Sequence, residues 1–249
     1  MRKFVTLWKR EVASYFVSPV AYILATMFLV VMGIGFWFLA NVRLLDGATF
    51  YDLLRGFYGG VAWFAVLMVI PVLSMRSFAE EKRSGTLEML LTAPVRDIEV
   101  VFSKFLGVFT VYVVMWLPTL AFYPLLQRVA QQPIPIDYGA LASAYSGIFL
   151  IGSFYLSIGV FCSSLTRNSI SSSISSFTLI AILFLAGFLP AVSPIPLIRE
   201  LTLPFSPLLH MMDYARGVVD TRSVVLYLSS TLLILMCTTR ILESRRWRA

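Results

Sequence analysis

A charged segment between two apolar runs holds the residues of this chain best suited to chemistry. It reads Met75-Arg-Ser-Phe-Ala-Glu-Glu-Lys-Arg-Ser-Gly-Thr-Leu-Glu-Met-Leu-Leu91 and carries both signs of charge at helical spacing. Gly85 can adopt a backbone conformation that other residues resist, so it divides the segment into two short helices. The second helix is ended by Pro94 and has one leucine face, made of Leu87, Leu90 and Leu91. The pattern predicts an ordered helix pair that lies in water.

The acidic pair Glu80–Glu81 suggests what this helix pair is for. These carboxylates lie on the side of the membrane where positive charge is favoured, and basic groups on a partner would explain them. The alternative interpretation is a solvated connector whose charges only keep it out of lipid. A connector would not need the Gly85 break, the leucine face and the Pro94 stop in succession.

Catalytic chemistry has few candidates elsewhere in the chain. The sequence contains no Gly-Lys dipeptide, so it holds no Walker A phosphate loop. It has a single histidine and two cysteines, the latter inside predicted spans, which gives no metal spacing and no disulfide framework. The sequence therefore predicts no catalytic residue, no metal and no cofactor in this chain, and any energy for moving a cargo must come from another polypeptide.

The elements that position the charged segment are apolar helices. The chain is 59% hydrophobic and 13% charged, against about 25% charged in ordinary soluble domains. Six runs are long enough to cross about 30 Å of hydrocarbon as helices. We place them at about 19–41, 57–75, 105–127, 139–165, 170–191 and 223–239. No Asp, Glu, Lys, Arg or His lies within these bounds, which disfavours ion-coupled carriers and intramembrane enzymes.

Lysine and arginine residues predict the orientation. One side of the predicted bundle holds 14 of them and the other holds 6, while the acidic residues divide almost evenly. The positive-inside rule places both termini and the Met75–Leu91 loop in the cytoplasm. This distribution explains the net charge of +7 without any nucleic-acid partner.

The N-terminal residues 1–18 are predicted to form an amphipathic helix in the cytoplasmic interface, as an elbow before the six-span unit 19–249. Its apolar face contains Phe4, Leu7, Trp8 and Val12, continued by Tyr15 and Phe16. The helix is either a simple lipid anchor or an elbow that also touches a cytoplasmic partner. Ser18-Pro19 then turns the chain into the first span.

Three further segments carry predictions. The loop 76–104 ends in a helix that Asp97 caps. Serines at the start of the fifth span favour close helix packing over a hydroxyl-lined conduit. The outer segment 192–222 is too apolar for a free loop, so we expect short re-entrant helices buried against the bundle. Within it, His210 and Asp213 are either a ligand site or satisfied polar groups that close a re-entrant turn.

The loop Met75–Pro94, followed by Lys104-Phe-Leu-Gly107, resembles the cytoplasmic loop of type-2 ABC transporter permeases. It is most similar to the permease subunit of gliding-motility-type ABC transporters. The resemblance extends to Ser18-Pro19, Ser163-Ser-Leu-Thr-Arg-Asn168, Phe205-Ser-Pro and Arg216-Gly-Val-Val-Asp220.

The resemblance implies an all-α, six-span permease half in a bacterial inner membrane, with an elbow helix, a cytoplasmic coupling helix and outer re-entrant helices. It implies a second permease copy or homologue, and an ATPase subunit that binds ATP and Mg. Carried over by position, the ATPase-coupling element consists of Arg76, Phe78, Glu80, Glu81, Arg83, Gly85, Thr86 and Glu88. The implied function is an exporter. The alternatives are a membrane scaffold that anchors an ATPase-driven machine, and a channel or ion-coupled carrier.

Overall fold

The computed structural model describes residues 2–45, 49–86, 96–129, 135–192 and 195–246. Its described residues form an all-helical bundle in chain order. The helices are α1 (Arg2–Val17), α2 (Pro19–Leu45), α3 (Phe50–Gly56), α4 (Ala62–Ser74), α5 (Arg76–Ser84), α6 (Asp97–Trp116), α7 (Phe122–Val129), α8 (Tyr138–Leu165), α9 (Ser169–Ala186), α10 (Leu189–Val192), α11 (Pro196–Thr202), α12 (Pro207–Ala215) and α13 (Thr221–Arg246).

Six helical stretches are long and apolar enough to cross a membrane, which confirms the predicted number of spans. They are Pro19–Val42, Phe50–Ser84, Asp97–Arg128, Tyr138–Leu165, Ser169–Ala186 and Thr221–Ser244. The second stretch contains a π-helical turn at Phe57–Val61 between α3 and α4. The third contains a 3₁₀ turn at Leu117–Ala121, where Pro118 removes a backbone donor.

The helices begin or end at other residues than the sequence predicted in three places. The outer loop expected between Asn41 and Gly56 is largely helical, because Thr49 and Asp52 form a capping box that begins α3. Asp97 is not the cap of α6, because Arg96 holds that position and its backbone N–H donates to the Glu99 carboxylate at 3.3 Å. Helix α9 ends at Ala186, because a turn begins at Gly187, whereas the fifth span was expected to end near 191.

Helix α8 is the centre of the bundle, in contact with α4, α5, α6, α9, α12 and α13. Glycines on α8 allow these close approaches. A Cβ added to Gly152 would lie 2.5 Å from the Tyr112 ring of α6, and one added to Gly159 would overlap the Ser74 side chain of α4. Close contact through small residues is typical of helices packed in lipid, where apolar burial alone gives no preference for protein over lipid.

Short helices precede the last span, as the outer segment 192–222 predicted. Helix α12 packs against α8, where the Tyr214 ring lies over Gly147. The Ser143 hydroxyl of α8 donates to the Tyr214 carbonyl, and the Tyr214 hydroxyl pairs with Ser223 at 2.8 Å. Helix α11 is more exposed, with Leu197 on its surface. Whether these helices re-enter the lipid stays a prediction.

Candidate functional site

Helix α5 continues the second membrane helix and crosses the end of α8. The Ser163 hydroxyl of α8 fixes the first turn of α5. Its oxygen accepts the backbone N–H groups of Phe78 and Ala79, both at 3.0 Å, and its proton is donated to the Met75 carbonyl at 3.0 Å. A hydroxyl has one donor and two acceptor positions, so Ser163 uses its full capacity on this one helix. The N-terminal end of α5 is therefore held by the central helix.

The buried face of α5 meets a lysine from α6. Lys104 has an exposed fraction of only 2%, and its ammonium lies 2.7 Å from the Glu81 carboxylate and 2.8 Å from the Glu11 carboxylate. The same ammonium lies 5.2 Å from the centre of the Phe78 ring, a cation–π distance. This ion triad (Glu11, Glu81 and Lys104) joins α1, α5 and α6. A buried ion group of this kind is strongly destabilised when one partner is removed, because the remaining charge is left uncompensated.

The two carboxylates of the predicted docking pair have different surroundings. Glu81 is directed inward, and its second oxygen, Oε2, is buried without a hydrogen-bond partner. Glu80 points outward with 54% of its side chain exposed, and it forms an ion pair with Arg76 at 3.7 Å. Such an exposed pair contributes little to stability. Glu80 is thus the exposed carboxylate of the pair, and Glu81 is paired inside the chain. The expectation that both carboxylates contact a partner stays a prediction.

The outward surface of α5 continues past its end. Arg83, Gly85 and Thr86 are exposed, and Ser84 and Thr86 share a hydrogen bond of 2.9 Å. Gly85 has φ 72°, which confirms the predicted left-handed end of the first short helix. We call Glu80, Arg83, Ser84, Gly85 and Thr86 the outer face of α5. Glu88, the second short helix and Pro94 lie outside the described residues.

Arg76 connects this helix to the start of the first span. Its guanidinium donates to the Ser18 hydroxyl at 2.8 Å, so the turn at Ser18-Pro19 is joined to the start of α5. Lys82, in the last turn of α5, donates to the Ser164 carbonyl at the end of α8. Both cations therefore bind groups of this chain.

Helix α1 packs along α6 with its apolar face. The side chains predicted for that face, Phe4, Leu7, Trp8 and Val12, are partly buried. The Trp8 indole donates to Thr110 at 3.1 Å, and the Tyr15 hydroxyl donates to the Leu73 carbonyl of α4 at 2.9 Å. Gly107 permits this approach, since a Cβ there would lie 2.8 Å from the Glu11 Cβ. Phe16, which was expected on the same face, is exposed.

Residues 40–241 of the chain match the sequence model of the ABC-2 family transporter protein. This chain belongs to that family. The match runs from the end of α2 through most of α13, and so contains α5 and the central helix α8. No curated protein matches the sequence. As an ABC-2 membrane permease domain, the chain is a non-catalytic transmembrane subunit.

In this ABC-2 permease, His210 is satisfied inside the chain. Its Nδ1 lies 2.9 Å from the Tyr227 hydroxyl of α13, and the two rings meet edge-on. Partial burial lowers the pKa of His210, although Asp213 and Asp220 oppose the shift. Among the described residues, no group of three His, Cys, Asp or Glu side chains could hold a metal ion. These contacts favour the interpretation of His210 as a packed polar group.

Sequence reasoning missed Glu11, Lys104 and Ser163 as parts of this site, although each left a signal. Lys104 falls on the buried stripe of α6 between Val100 and Val108, at spacings of about one helical turn. Glu11 falls on the partly buried face of α1 in the same way. Ser163 lies in a segment that the family resemblance singled out. A charged residue within an apolar stripe is the signal that predicts an internal ion pair.

Proposed function

We propose that this ABC-2 permease is the membrane subunit of an ATP-driven exporter and is worked by a separate ATPase subunit. The outer face of α5 is the docking surface, and the ATPase supplies the ATP and Mg site. The distribution of lysine and arginine supports a cytoplasmic location for this face and for both termini, in a bacterial inner membrane. A second copy or a homologous permease completes the translocation path, and the resemblance supports the gliding-motility type.

One observation carries the proposal, namely the division of α5 into two faces. The inner face is joined to α8 by the hydrogen bond from Phe78 to Ser163, and to α6 and α1 by the ion triad that contains Glu81. The outer face leaves Glu80 and Arg83 exposed on a helix that is itself tightly held. A partner that pulls on the outer face therefore moves α1, α6 and α8 as well. This arrangement suits a lever that transmits the closing of two ATPases to the membrane helices.

The test compares the two adjacent carboxylates. The permease is co-expressed with a candidate ABC ATPase subunit, and ATPase retention and ATP hydrolysis are measured on purified complexes. We expect Glu80→Lys to release the ATPase while the thermal melt of the permease stays unchanged, since Glu80 is an exposed residue. Glu81→Lys should instead lower the melt, because it places a second ammonium beside Lys104.

Glu200→Lys is the matched control for Glu80→Lys. It makes the same charge reversal on an exposed residue of α11, between the fifth and sixth spans and thus at the opposite end of the bundle. The ATPase should bind this variant as it binds the original chain. Equal retention of the ATPase by Glu80→Lys and Glu200→Lys would contradict a docking role for the outer face of α5. Normal docking and ATP hydrolysis without any export would favour the scaffold function.

A further inference from the structure

A cavity lies between the start of α6 and the end of α13. It has a volume of about 440 Å³, within the range of small-molecule sites. Arg96 and Asp97 line it from α6, and Arg240 and Glu243 line it from α13. None of these four side chains belongs to the predicted coupling element, and the cavity is separate from the ion triad.

The cavity lies at the ends of two candidate membrane spans, where headgroups of the surrounding lipid are expected. Its two helices belong to the candidate spans Asp97–Arg128 and Thr221–Ser244, and the cavity lies where the third span begins and the sixth ends. Ile98 and Met236 form its apolar wall, with exposed fractions of 48% and 60%. Since both side chains lie within span helices, an acyl chain of the surrounding lipid can lie against them.

The charged wall of the cavity has both signs. Arg240 is 81% exposed and reaches Glu243 at 3.2 Å, so its guanidinium keeps donors for another acceptor. Arg96 adds a second guanidinium, and Asp97 and Glu243 add two carboxylates, so the lining residues that the structure describes carry both charges in equal number. A purely anionic ligand would leave the carboxylates facing its charge. A ligand with both a phosphate and an ammonium matches both signs.

We propose that this cavity binds the headgroup of a phospholipid of the phosphatidylethanolamine class. The phosphate is held by Arg96 and Arg240, the ammonium is held by Glu243, and one acyl chain follows Ile98 and Met236. Guanidinium groups bind phosphate oxygens through paired N–H donors, and basic pockets between membrane helices bind lipid headgroups. The proposal goes beyond the transport function and does not depend on ATPase docking.

The test is native mass spectrometry of the purified full chain. The chain is equilibrated in detergent with equal amounts of phosphatidylethanolamine, phosphatidylcholine and phosphatidylglycerol, and bound lipid is counted. We expect phosphatidylethanolamine to be retained most, because phosphatidylcholine lacks N–H donors and phosphatidylglycerol lacks the ammonium. Arg240→Gln should weaken its retention about fivefold, the effect expected for one basic group at a lipid surface.

Two variants keep the proposal falsifiable. Arg222→Gln removes an exposed arginine at the other end of α13 and should leave lipid retention unchanged. Glu243→Gln makes the cavity positive and should shift the preference toward phosphatidylglycerol. Equal retention of the three lipids by the original chain, or equal retention of phosphatidylethanolamine by the Arg240 and Arg222 variants, would overturn the proposal. A preference of the original chain for phosphatidylglycerol would overturn it as well.

Discussion

Helices α5 and α12 are two short helices fastened to the same central helix by different means. Helix α5 is held at Ser163 of α8 by hydrogen bonds and, through Glu81, by the ion triad. Helix α12 is held about 24 Å away along α8, where the Tyr214 ring lies over Gly147. Both helices form a hydrogen bond with a serine hydroxyl of α8, but α5 is also fastened by buried charges, whereas α12 is fastened by the close fit of an uncharged ring.

This difference fits the surroundings that each helix has. Helix α5 exposes Glu80 and Arg83, whereas the side chains of α12 are mostly buried and Asp213 is exposed. The exposed Arg76–Glu80 pair contributes little to stability, so a charged surface that arrives at α5 can replace it at small cost. A packed ring over a glycine has no such alternative partner. The comparison agrees with the proposal that α5 moves when a partner binds, while α12 stays packed against α8.

The largest effect is expected from Lys104→Met, which removes the cation of the ion triad. Glu11 and Glu81 then remain as two adjacent carboxylates with little access to water, a change that typically costs about 3–5 kcal/mol. We expect the melting temperature of the purified chain, measured by tryptophan fluorescence, to fall by a large amount. Lys9→Met is the control, because Lys9 is exposed on the opposite face of α1.

A second variant separates loss of charge from loss of packing at this site. Lys104→Met combined with Glu11→Gln and Glu81→Gln has no uncompensated charge and should recover much of the lost stability. If Lys104→Met melts like Lys9→Met, the ion triad does not hold α5, and the contrast with α12 fails.

Gly147→Val should give the next largest effect, at the α12 end. An added Cβ would lie 2.6 Å from the Tyr214 ring, which is fixed by the hydrogen bond to Ser223. Overpacking of this kind costs about 1–3 kcal/mol, so α12 should separate from α8 and the melt should fall. Gly60→Val is the matched control, since no atom lies within 4 Å of a Cβ there. Equal melts for the two variants would show that α12 is not held by shape.

The smallest effect concerns pH at the α12 end. The pKa of His210 is lowered from its usual 6.5 because burial disfavours the imidazolium. The unfolded chain then binds the proton more readily, so the stability from neutral His210 is complete above pH 6.5 and declines as pH falls toward the lower folded pKa. The melting temperature of the original chain should fall between about pH 7.5 and 5.5, before most carboxylates titrate.

His210→Gln supplies the control for the pH experiment. The chain has one histidine, so this variant should remove most of the dependence in that interval. A slope that stays the same in His210→Gln would assign the effect to other groups.

The six spans could be predicted from hydropathy because long apolar runs have few other stable structures in lipid. The left-handed end at Gly85 could be predicted because few residues other than glycine adopt that conformation readily. The pairing of Glu81 with Lys104 could not be predicted, because the third span was expected to start at residue 105 and Lys104 was therefore placed in the loop before it. The apolar stripe around Lys104 signals a buried charge, but its partners, 23 and 93 residues away, are chosen by tertiary packing and cannot be read from that local pattern.

The ion triad also constrains the order in which the helices of this protein can assemble during synthesis. Glu11 leaves the ribosome 93 residues before the lysine that neutralises it. At roughly 5–20 residues per second, that interval is on the order of 5–20 seconds. Until then the first helix has neither Lys104 nor the groove at Gly107 to settle against. The charged face of α1 can stay in water during this interval, and α1 packs against α6 only after the third span has been inserted.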